Sequence, residues 1–341
     1  MPEGDTVFRQ CRILHEALAG AEITRSDLRV PSAATADLRG WRVREVVPRG
    51  KHLLLRLDPP RGTEPGRPPG RGAPEPLTLH NHLMMDGIWH VDGVSLRSSD
   101  ASAGPRPLHT ARIVLDARQD DGSEVRAVGY DVKQVRLLRT ADEDEIVGHL
   151  GPDLLDPQWS DEHRELALAH LRARPERPVG LALLDQRNLA GIGNIYRCEL
   201  CFLHRIHPSA PLGEVEDLPG MVDLARRLLA LNTQRTVRVT TGGMMGRRGD
   251  LWVYGRAREP CRRCGARIQR GDLVEPEIEG SEGRVIFACP RCQSGGPQGP
   301  STGPLGQSGG PLGQSGGPRR HSADGGARPA DRDSGPDEPR R

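Results

Sequence analysis

The residues with the clearest chemical potential stand at the start of the chain, which reads MPEGDTVFRQ. A small second residue normally lets the initiator methionine be removed, so we expect the mature chain to begin with the secondary amine of Pro2. Such an α-amino group titrates at about 8, against about 10.4 for a lysine, and is partly unprotonated at neutral pH. It can therefore act as a nucleophile toward an aldehyde-level carbon, with Glu3 beside it to donate and accept protons.

Lys51 is a second candidate, because the chain uses arginine almost everywhere for positive charge and has only one other lysine, Lys133. A retained lysine suggests a need for a compact, titratable amine. If Pro2 attacked C1′ of a deoxyribose, the iminium ion would acidify the C2′ hydrogen, so base loss and strand cleavage would share one intermediate. Lys51 could then assist at the sugar or its phosphate. The alternative is an ordinary N-terminus and a lysine at a strand edge.

Four cysteines occur in two CxxC pairs, CRRC (261–264) and CPRC (289–292). Two such pairs supply four thiolates for a tetrahedral zinc ion, and four cysteines leave no open position for catalysis. We therefore expect one structural zinc, bound by Cys261, Cys264, Cys289 and Cys292. A further pair, CELC (198–201), lies in a helical apolar pattern, which favours buried free cysteines over ligands.

A tight glycine turn precedes a helix in NLAGIGNIYRCELCF (188–202). A helix N-terminus presents free N–H groups and the positive end of the dipole, which suits a phosphate; a plain interhelical turn is the alternative. The net charge of +2 does not by itself indicate nucleic acid. The arginine-rich segment 247–270 is, however, a local basic patch of the kind that attracts a phosphate backbone.

The secondary-structure elements that must position these residues differ along the chain. A helix is predicted after MPEG, with Asp5 or Thr6 as its N-cap and Gly20 as its end. Short strands separated by turns predict a β-sandwich, which we place in an N-terminal catalytic domain over 1–147. The strand segments are 41–47, 51–57, 76–83, 88–93, 110–117, 124–132 and 133–140.

Beyond this region the pattern becomes helical and then cysteine-bearing. We predict a helical domain over 148–250, to which the family resemblance given below assigns DNA binding, and a zinc finger over 251–293. The Pro- and Gly-rich stretch 59–76 reads as a flexible insertion, and 294–341 as a disordered tail. The apolar pattern contains neither a secretory signal nor a membrane span, so we expect a cytosolic monomer.

These motifs together resemble the formamidopyrimidine-DNA glycosylase and endonuclease VIII family of base-excision repair enzymes. The resemblance covers about residues 1–293 and is carried by PEG, RGKHLL, LLDQRNLAGIGNIY, WVYGR and GRVIFACPRCQ. It implies an α+β multidomain fold with a helix-two-turns-helix region and a zinc-finger β-hairpin. It also implies a bifunctional glycosylase and lyase acting on damaged DNA, either duplex or partly single-stranded.

The resemblance also implies residue roles. Pro2 would be the Schiff-base nucleophile, Glu3 the acid and base, and Lys51 a contact to the lesion. Asn194 and Arg284 would bind phosphates beside a flipped nucleotide. In HNHLMMDG (80–87), Met85, or Leu83 with Met84, would fill the gap left by that nucleotide, the alternative being core methionines.

The PEGDT opening and HNHL resemble the endonuclease VIII branch, which favours oxidised pyrimidines. Two departures stand out: Thr6 replaces a glutamate common in the family, and the finger insertion carries the acids Glu275, Glu277, Glu279 and Glu282. The alternatives are an oxidised-purine glycosylase and a non-catalytic protein that binds damaged DNA. A metal-dependent nuclease using His80, Asn81 and His82 is disfavoured, because adjacent strand residues point to opposite faces.

Overall fold

The computed structural model describes residues 2–60, 74–92, 94–95, 106–242, 250–275 and 283–296, all within one compact unit, Met1–Pro297. Most of the predicted insertion 59–76 and nearly all of the predicted tail 294–341 lie outside the described residues. No helix in the described part of the chain has the length and apolar character needed to cross a bilayer.

The secondary structure changes along the chain as predicted, from mainly strands to mainly helices. The helices are α1 (Gly4–Leu18), α2 (Asp144–Val147), α3 (Asp161–Arg172), α4 (Val179–Leu184), α5 (Asn194–Leu203) and α6 (Leu218–Asn232). The strands are β1 (Glu22–Leu28), β2 (Arg42–Arg49), β3 (His52–Asp58), β4 (Leu77–His82), β5 (Ile88–Val91), β6 (Val94–Ser95), β7 (Ala111–Arg118), β8 (Glu124–Tyr130), β9 (Gln134–Arg139), β10 (Gln269–Leu273) and β11 (Arg284–Ala288).

The first nine strands form one antiparallel sheet in the order β6-β5-β8-β7-β1-β2-β3-β4-β9. The paired stretch between β1 and β2 is short, with Glu22 opposite Arg42. The two halves of the sheet on either side of it enclose one core together with α1. This arrangement confirms the predicted sandwich within an α+β fold. The sequence did not predict β1, because EITRSDL buries only Ile23 and Leu28 and is otherwise polar.

The start of α1 differs from the sequence prediction. Glu3, and not Asp5 or Thr6, occupies the N-cap position, and its side chain makes no capping hydrogen bond to its own helix. The Glu3 side chain instead accepts hydrogen bonds from backbone groups of residues 193–196, far along the chain. Asp5 and Thr6 lie within the first turn of α1.

Two further hydrophobic cores lie beyond the sheet. One is enclosed by α3 to α6 and contains Tyr196 of α5 and Met221 of α6. The other joins α5 to the β10–β11 hairpin, with the Phe202 ring stacked on Trp252 at a centroid distance of 5.4 Å. The helix α5 therefore contributes to both cores. The exact domain limits stay a prediction.

The Glu199 carboxylate holds the segment that leads into the hairpin. It is fully buried and accepts hydrogen bonds from the backbone N–H groups of Trp252 (2.7 Å), Val253 (2.9 Å) and Tyr254 (2.9 Å). The hydroxyl of Thr240 also donates to it. Four donors around one carboxylate compensate the cost of burying its charge. This buried anion therefore fixes the base of the finger to α5.

We predict that Glu199→Gln destabilises the protein by about 2–4 kcal/mol, because an amide group turns N–H donors toward backbone N–H donors and leaves them unsatisfied. Urea unfolding followed by circular dichroism measures this change. The control is Glu162→Gln, at an exposed position on α3. Equal stabilities of the two variants would contradict this account of Glu199.

Candidate active site

The Glu3 carboxylate binds the N-terminus of α5. Glu3 is fully buried, and it accepts hydrogen bonds from the backbone N–H groups of Gly193 (2.8 Å), Ile195 (2.7 Å) and Tyr196 (3.3 Å). A helix N-terminus favours an anion through its free N–H groups and its dipole. These amides are the ones that the sequence suggested for a phosphate, and the structure shows that the protein's own carboxylate occupies them.

Glycines allow the two segments to approach this closely. The Gly4 N–H donates to the Gly191 carbonyl at 2.9 Å, and a Cβ atom on Gly4 would lie 2.9 Å from the Gly191 Cα atom. A Cβ atom on Gly193 would lie 2.4 Å from the Glu3 carboxyl carbon. Gly191 itself has a φ of +112°, which side-chain-bearing residues rarely adopt. The GxG turn therefore serves as the docking surface for residues 3 and 4, which fixes the backbone that follows Pro2.

Asp5 makes the second buried link in this region. Its carboxylate pairs in a bidentate manner with Arg238 (2.7 and 2.5 Å) and accepts a hydrogen bond from the Tyr196 hydroxyl at 2.8 Å. Burial tends to raise the pKa of Asp5, but Arg238 and the hydrogen bonds outweigh it, so the pKa lies below its usual value. The Arg238 guanidinium also donates to the Thr6 hydroxyl at 3.1 Å. Arg238 was not a sequence candidate.

Lys51 lies near Glu3 in the turn between β2 and β3. Burial lowers the pKa of its amine to about 8, and the positive charge of Arg284 acts in the same direction. The preceding N–H group, of Gly50, donates to the Asp153 carboxylate at 2.6 Å, which ties this turn to the helical part of the chain. A neutral amine is therefore accessible near neutral pH, as a proton acceptor or nucleophile requires.

Asn194 of α5 and Arg284 of β11 lie in two elements that contact each other. The Asn194 side-chain amide donates to the Val285 carbonyl at 2.9 Å, and Arg197 donates to the same oxygen at 2.8 Å. Arg284, the residue before Val285, is exposed at the hairpin edge, on the side of Lys51. In this geometry the Asn194 amide holds the finger, and its predicted contact with phosphate stays a prediction.

The loop after β4 projects its methionines into solvent. Met84 and Met85 are 36% and 52% exposed, whereas Leu83 is fully buried in the sandwich. The possibility of core methionines is therefore wrong, and the burial of Leu83 in the free protein disfavours a wedge formed by Leu83 with Met84. Met85 stays the predicted residue for filling a gap in a base stack.

The finger cysteines converge as the CxxC spacing predicts. The sulfur atoms of Cys261, Cys264, Cys289 and Cys292 all lie within 4.8 Å of one another, a set that could hold one metal ion. Cys198 and Cys201 are buried elsewhere in α5, and burial raises the pKa of the Cys198 thiol to about 11. Among the described finger acids, Glu275 faces Arg177 at 2.8 Å. The acids Glu277, Glu279 and Glu282 lie outside the described residues.

A histidine cluster beside Lys51 was not predicted as a site. His80 and His82 share one face of β4, and Asn81 points to the other face, where it accepts a hydrogen bond from the Trp89 indole at 3.3 Å. His52 stacks on His80 and meets the edge of His82, both at centroid distances of 5.1 Å. The alternation of side chains along β4 thus places Asn81 on the face opposite His80 and His82, as expected. It also brings these two histidines together with His52. Among the described residues, only the four finger cysteines form a metal-binding group of three or more ligands.

Comparison with known proteins identifies a family and relatives to which this chain is similar. Residues 150–218 match the family profile described as the formamidopyrimidine-DNA glycosylase H2TH domain. The chain is 46% identical to the probable endonuclease 8 2 of Streptomyces coelicolor, over 86% of this chain and 95% of the relative. It is 40% identical to the DNA-(apurinic or apyrimidinic site) lyase Nei2 of Mycolicibacterium smegmatis, over 86% of this chain and 99% of the relative.

A solved structure has the same fold. The complex of Lactococcus lactis Fpg with DNA containing an abasic site superposes with a TM-score of 0.61 at 22% identity, covering 86% of this chain and all of that chain. The sheet, the helix-two-turns-helix region and the cysteine hairpin together define a DNA-repair glycosylase and lyase. The chain belongs to the formamidopyrimidine-DNA glycosylase and endonuclease VIII family. This confirms the resemblance inferred from its sequence motifs.

We predict that Gly193→Ala destabilises the protein by about 1–3 kcal/mol, because the added methyl group overlaps the Glu3 carboxylate. Urea unfolding measures this effect. Gly271→Ala in β10 is the matched control, since a Cβ atom there would meet Ile286 at an ordinary 3.5 Å. Wild-type stability of Gly193→Ala would show that Glu3 does not depend on this close approach.

We also predict that acid destabilises the protein through the histidine cluster. Burial lowers the pKa values of His52, His80 and His82 to about 3, 4 and 4, below the ordinary 6.5. The unfolded chain therefore binds more protons than the folded chain below about pH 6.5, and stability falls from there toward pH 4. Urea unfolding between pH 7.5 and 4.5 measures the slope. His52→Gln should flatten it, whereas replacement of the exposed His109 should not.

Proposed function

We propose that the protein is a bifunctional DNA glycosylase and AP lyase that removes oxidised bases, with a preference for pyrimidines, through a Schiff base on Pro2. The family supports glycosylase and lyase chemistry in base-excision repair. The observation that carries the proposal is the burial of Glu3 on the α5 N-terminus, because it fixes the residue after Pro2 next to Lys51. The similarity to relatives named endonuclease 8 supports the pyrimidine preference.

The proposed reaction begins with the Pro2 nitrogen. Its lone pair attacks C1′ of the flipped nucleotide, the glycosidic bond breaks, and the base leaves with that electron pair and takes up a proton. Opening of the sugar ring yields an iminium ion between Pro2 and C1′. Because a secondary amine forms an iminium without an N–H proton, the cation persists and acidifies the C2′ hydrogen.

Strand cleavage follows from the same intermediate by β,δ-elimination. Loss of the C2′ proton expels the 3′ phosphate, and a second elimination expels the 5′ phosphate. Hydrolysis of the remaining iminium ion then frees Pro2. The Glu3 carboxylate takes up the proton that the Pro2 nitrogen loses and donates it to the ring oxygen during opening. Lys51, with its pKa of about 8, takes part in proton transfer at the sugar or binds its phosphate.

DNA binding in this proposal uses the surfaces around that centre. Arg284 and Asn194 bind phosphates beside the flipped nucleotide, and Met85 fills the gap in the stack. A zinc ion on the four cysteines supplies the folding energy of the small hairpin and takes no part in the chemistry. The close convergence of four thiol groups supports this assignment.

We predict that borohydride traps a covalent adduct between this protein and DNA, and that the adduct lies on Pro2. The protein is incubated with duplexes containing an oxidised pyrimidine, 8-oxoguanine or an abasic site, reduced, digested and analysed by mass spectrometry. We expect faster excision of the oxidised pyrimidine than of 8-oxoguanine. We expect Pro2→Gly to lower the rate at least a hundredfold.

Three outcomes would decide against parts of the proposal. Robust cleavage without an adduct on Pro2 rejects the nucleophile. Faster excision of 8-oxoguanine rejects the pyrimidine preference. Binding of damaged DNA that is unaffected by Pro2→Gly, with no excision by the wild-type protein, leaves a non-catalytic binding protein. Arg112→Ala, at an exposed position on β7 outside the proposed site, is the control and should form the adduct like the wild-type protein.

A further inference from the structure

A cavity of about 790 Å³ opens between the outer face of the sheet and the segment around α2. His52 of β3 and His80 of β4 form its inner wall, Arg136 of β9 one side, and His149 beyond α2 the other. The His52 Nδ1 and His80 Nε2 atoms are 2.9 Å apart and share a hydrogen bond. His80 is 2% exposed, and its buried Nδ1 atom has no hydrogen-bond partner.

The lining is cationic and rich in hydrogen-bond donors. Lys133 and Arg136 are exposed on its rim, and Glu145 is the only acid among its lining residues. An imidazole pair beneath two cations is suited to an anion that accepts several hydrogen bonds.

The cavity adjoins the proposed active site. His52 follows Lys51 in the chain, and His82, whose ring touches His52, lies within electrostatic range of the Lys51 amine. Successive phosphates of one DNA strand are spaced by about 3.4 Å along the helix axis. A strand whose damaged sugar lies at Lys51 therefore has phosphates within reach of the cavity a few nucleotides away.

We propose that this cavity, lined by His52, His80, His149 and Arg136, binds a backbone phosphodiester of the substrate strand beside the damaged nucleotide. The site rests on the proposed function, because it needs damaged DNA at Lys51. It adds a phosphate contact on the outer face of the sheet, formed by residues outside the proposed catalytic set. Protonation of the His52–His80 pair accompanies binding.

Burial is the main reason why the pKa values of His52 and His80 lie below their usual value, and the surrounding charges add to it. His52 faces His80 and His82 on β4, Lys51 on its own hairpin, and His149 beyond α2. His80 faces His82, Arg136 of β9 and the acid Glu143. These groups, apart from Glu143, disfavour an imidazolium, so the pair is neutral in the free protein. A bound phosphodiester reverses this balance, so DNA affinity should rise as pH falls from 7.5 to 6.

The test uses the full-length protein and a fluorescent duplex with a tetrahydrofuran abasic analogue, which binds without reaction. Single methylphosphonates replace successive phosphates along the damaged strand. In the wild-type protein, we expect one position away from the lesion to lower affinity about tenfold. Arg136→Ala combined with His149→Ala should cause a similar loss, and the two losses should not add. The salt dependence of binding should fall by about one phosphate contact.

Controls and outcomes separate this proposal from the one above. Arg112→Ala, an exposed arginine on β7, is the matched control and should bind like the wild-type protein. His52→Gln should remove the gain in affinity at pH 6. Additive losses, or an unchanged salt dependence, overturn the phosphate site while leaving the Pro2 adduct intact. Binding of inorganic phosphate in the cavity with unaltered DNA affinity in the variants also overturns it. Failure of the wild-type protein to bind the duplex rejects both proposals.

Discussion

The ion–dipole contact between the Glu3 carboxylate and the α5 N-terminus organises this molecule. A buried carboxylate is stable only when donors compensate its lost hydration, and the three amides of Gly193, Ile195 and Tyr196 do so. The same helix turns its other residues toward the finger, where Asn194 and Glu199 hold the hairpin and its base. One short helix therefore connects the start of the chain to the finger.

Local patterns predicted most of the elements and the chemistry of the cysteines. Seven strand segments were found close to their predicted limits, and helices occur in the region after residue 148 where the pattern becomes helical, because alternation and helical spacing report which side of an element is buried. The CxxC pairs predicted their own convergence, since four thiols at that spacing have few other structural uses. The central strand β1 escaped prediction because tertiary pairing with β2 and β7, and not its own apolar content, makes it a strand.

Long-range partners could not be read from the sequence. The sequence suggested the amides at the GxG turn for a phosphate, with a plain interhelical turn as the alternative, and nothing local indicates that their partner is Glu3, almost two hundred residues earlier. Asp5 likewise pairs with Arg238, and His52 pairs with His80. The sequence alone does not give the packing or the strand register that brings these residues together. Such contacts depend on how elements pack, and each buried polar group admits several partners of similar energy.

The buried pair beside Thr6 shows how packing keeps a charge in the first turn of α1. Thr6 itself is uncharged and follows Asp5 in that turn, close to Glu3. Asp5 supplies a carboxylate one residue earlier, and its bidentate pair with Arg238 keeps that charge ionised although it is buried. Arg238 also binds the Thr6 hydroxyl, so both side chains are held by one guanidinium. The local charge thus becomes a buried ion pair, which fixes the turn that carries Pro2 while leaving the amides of α5 to Glu3.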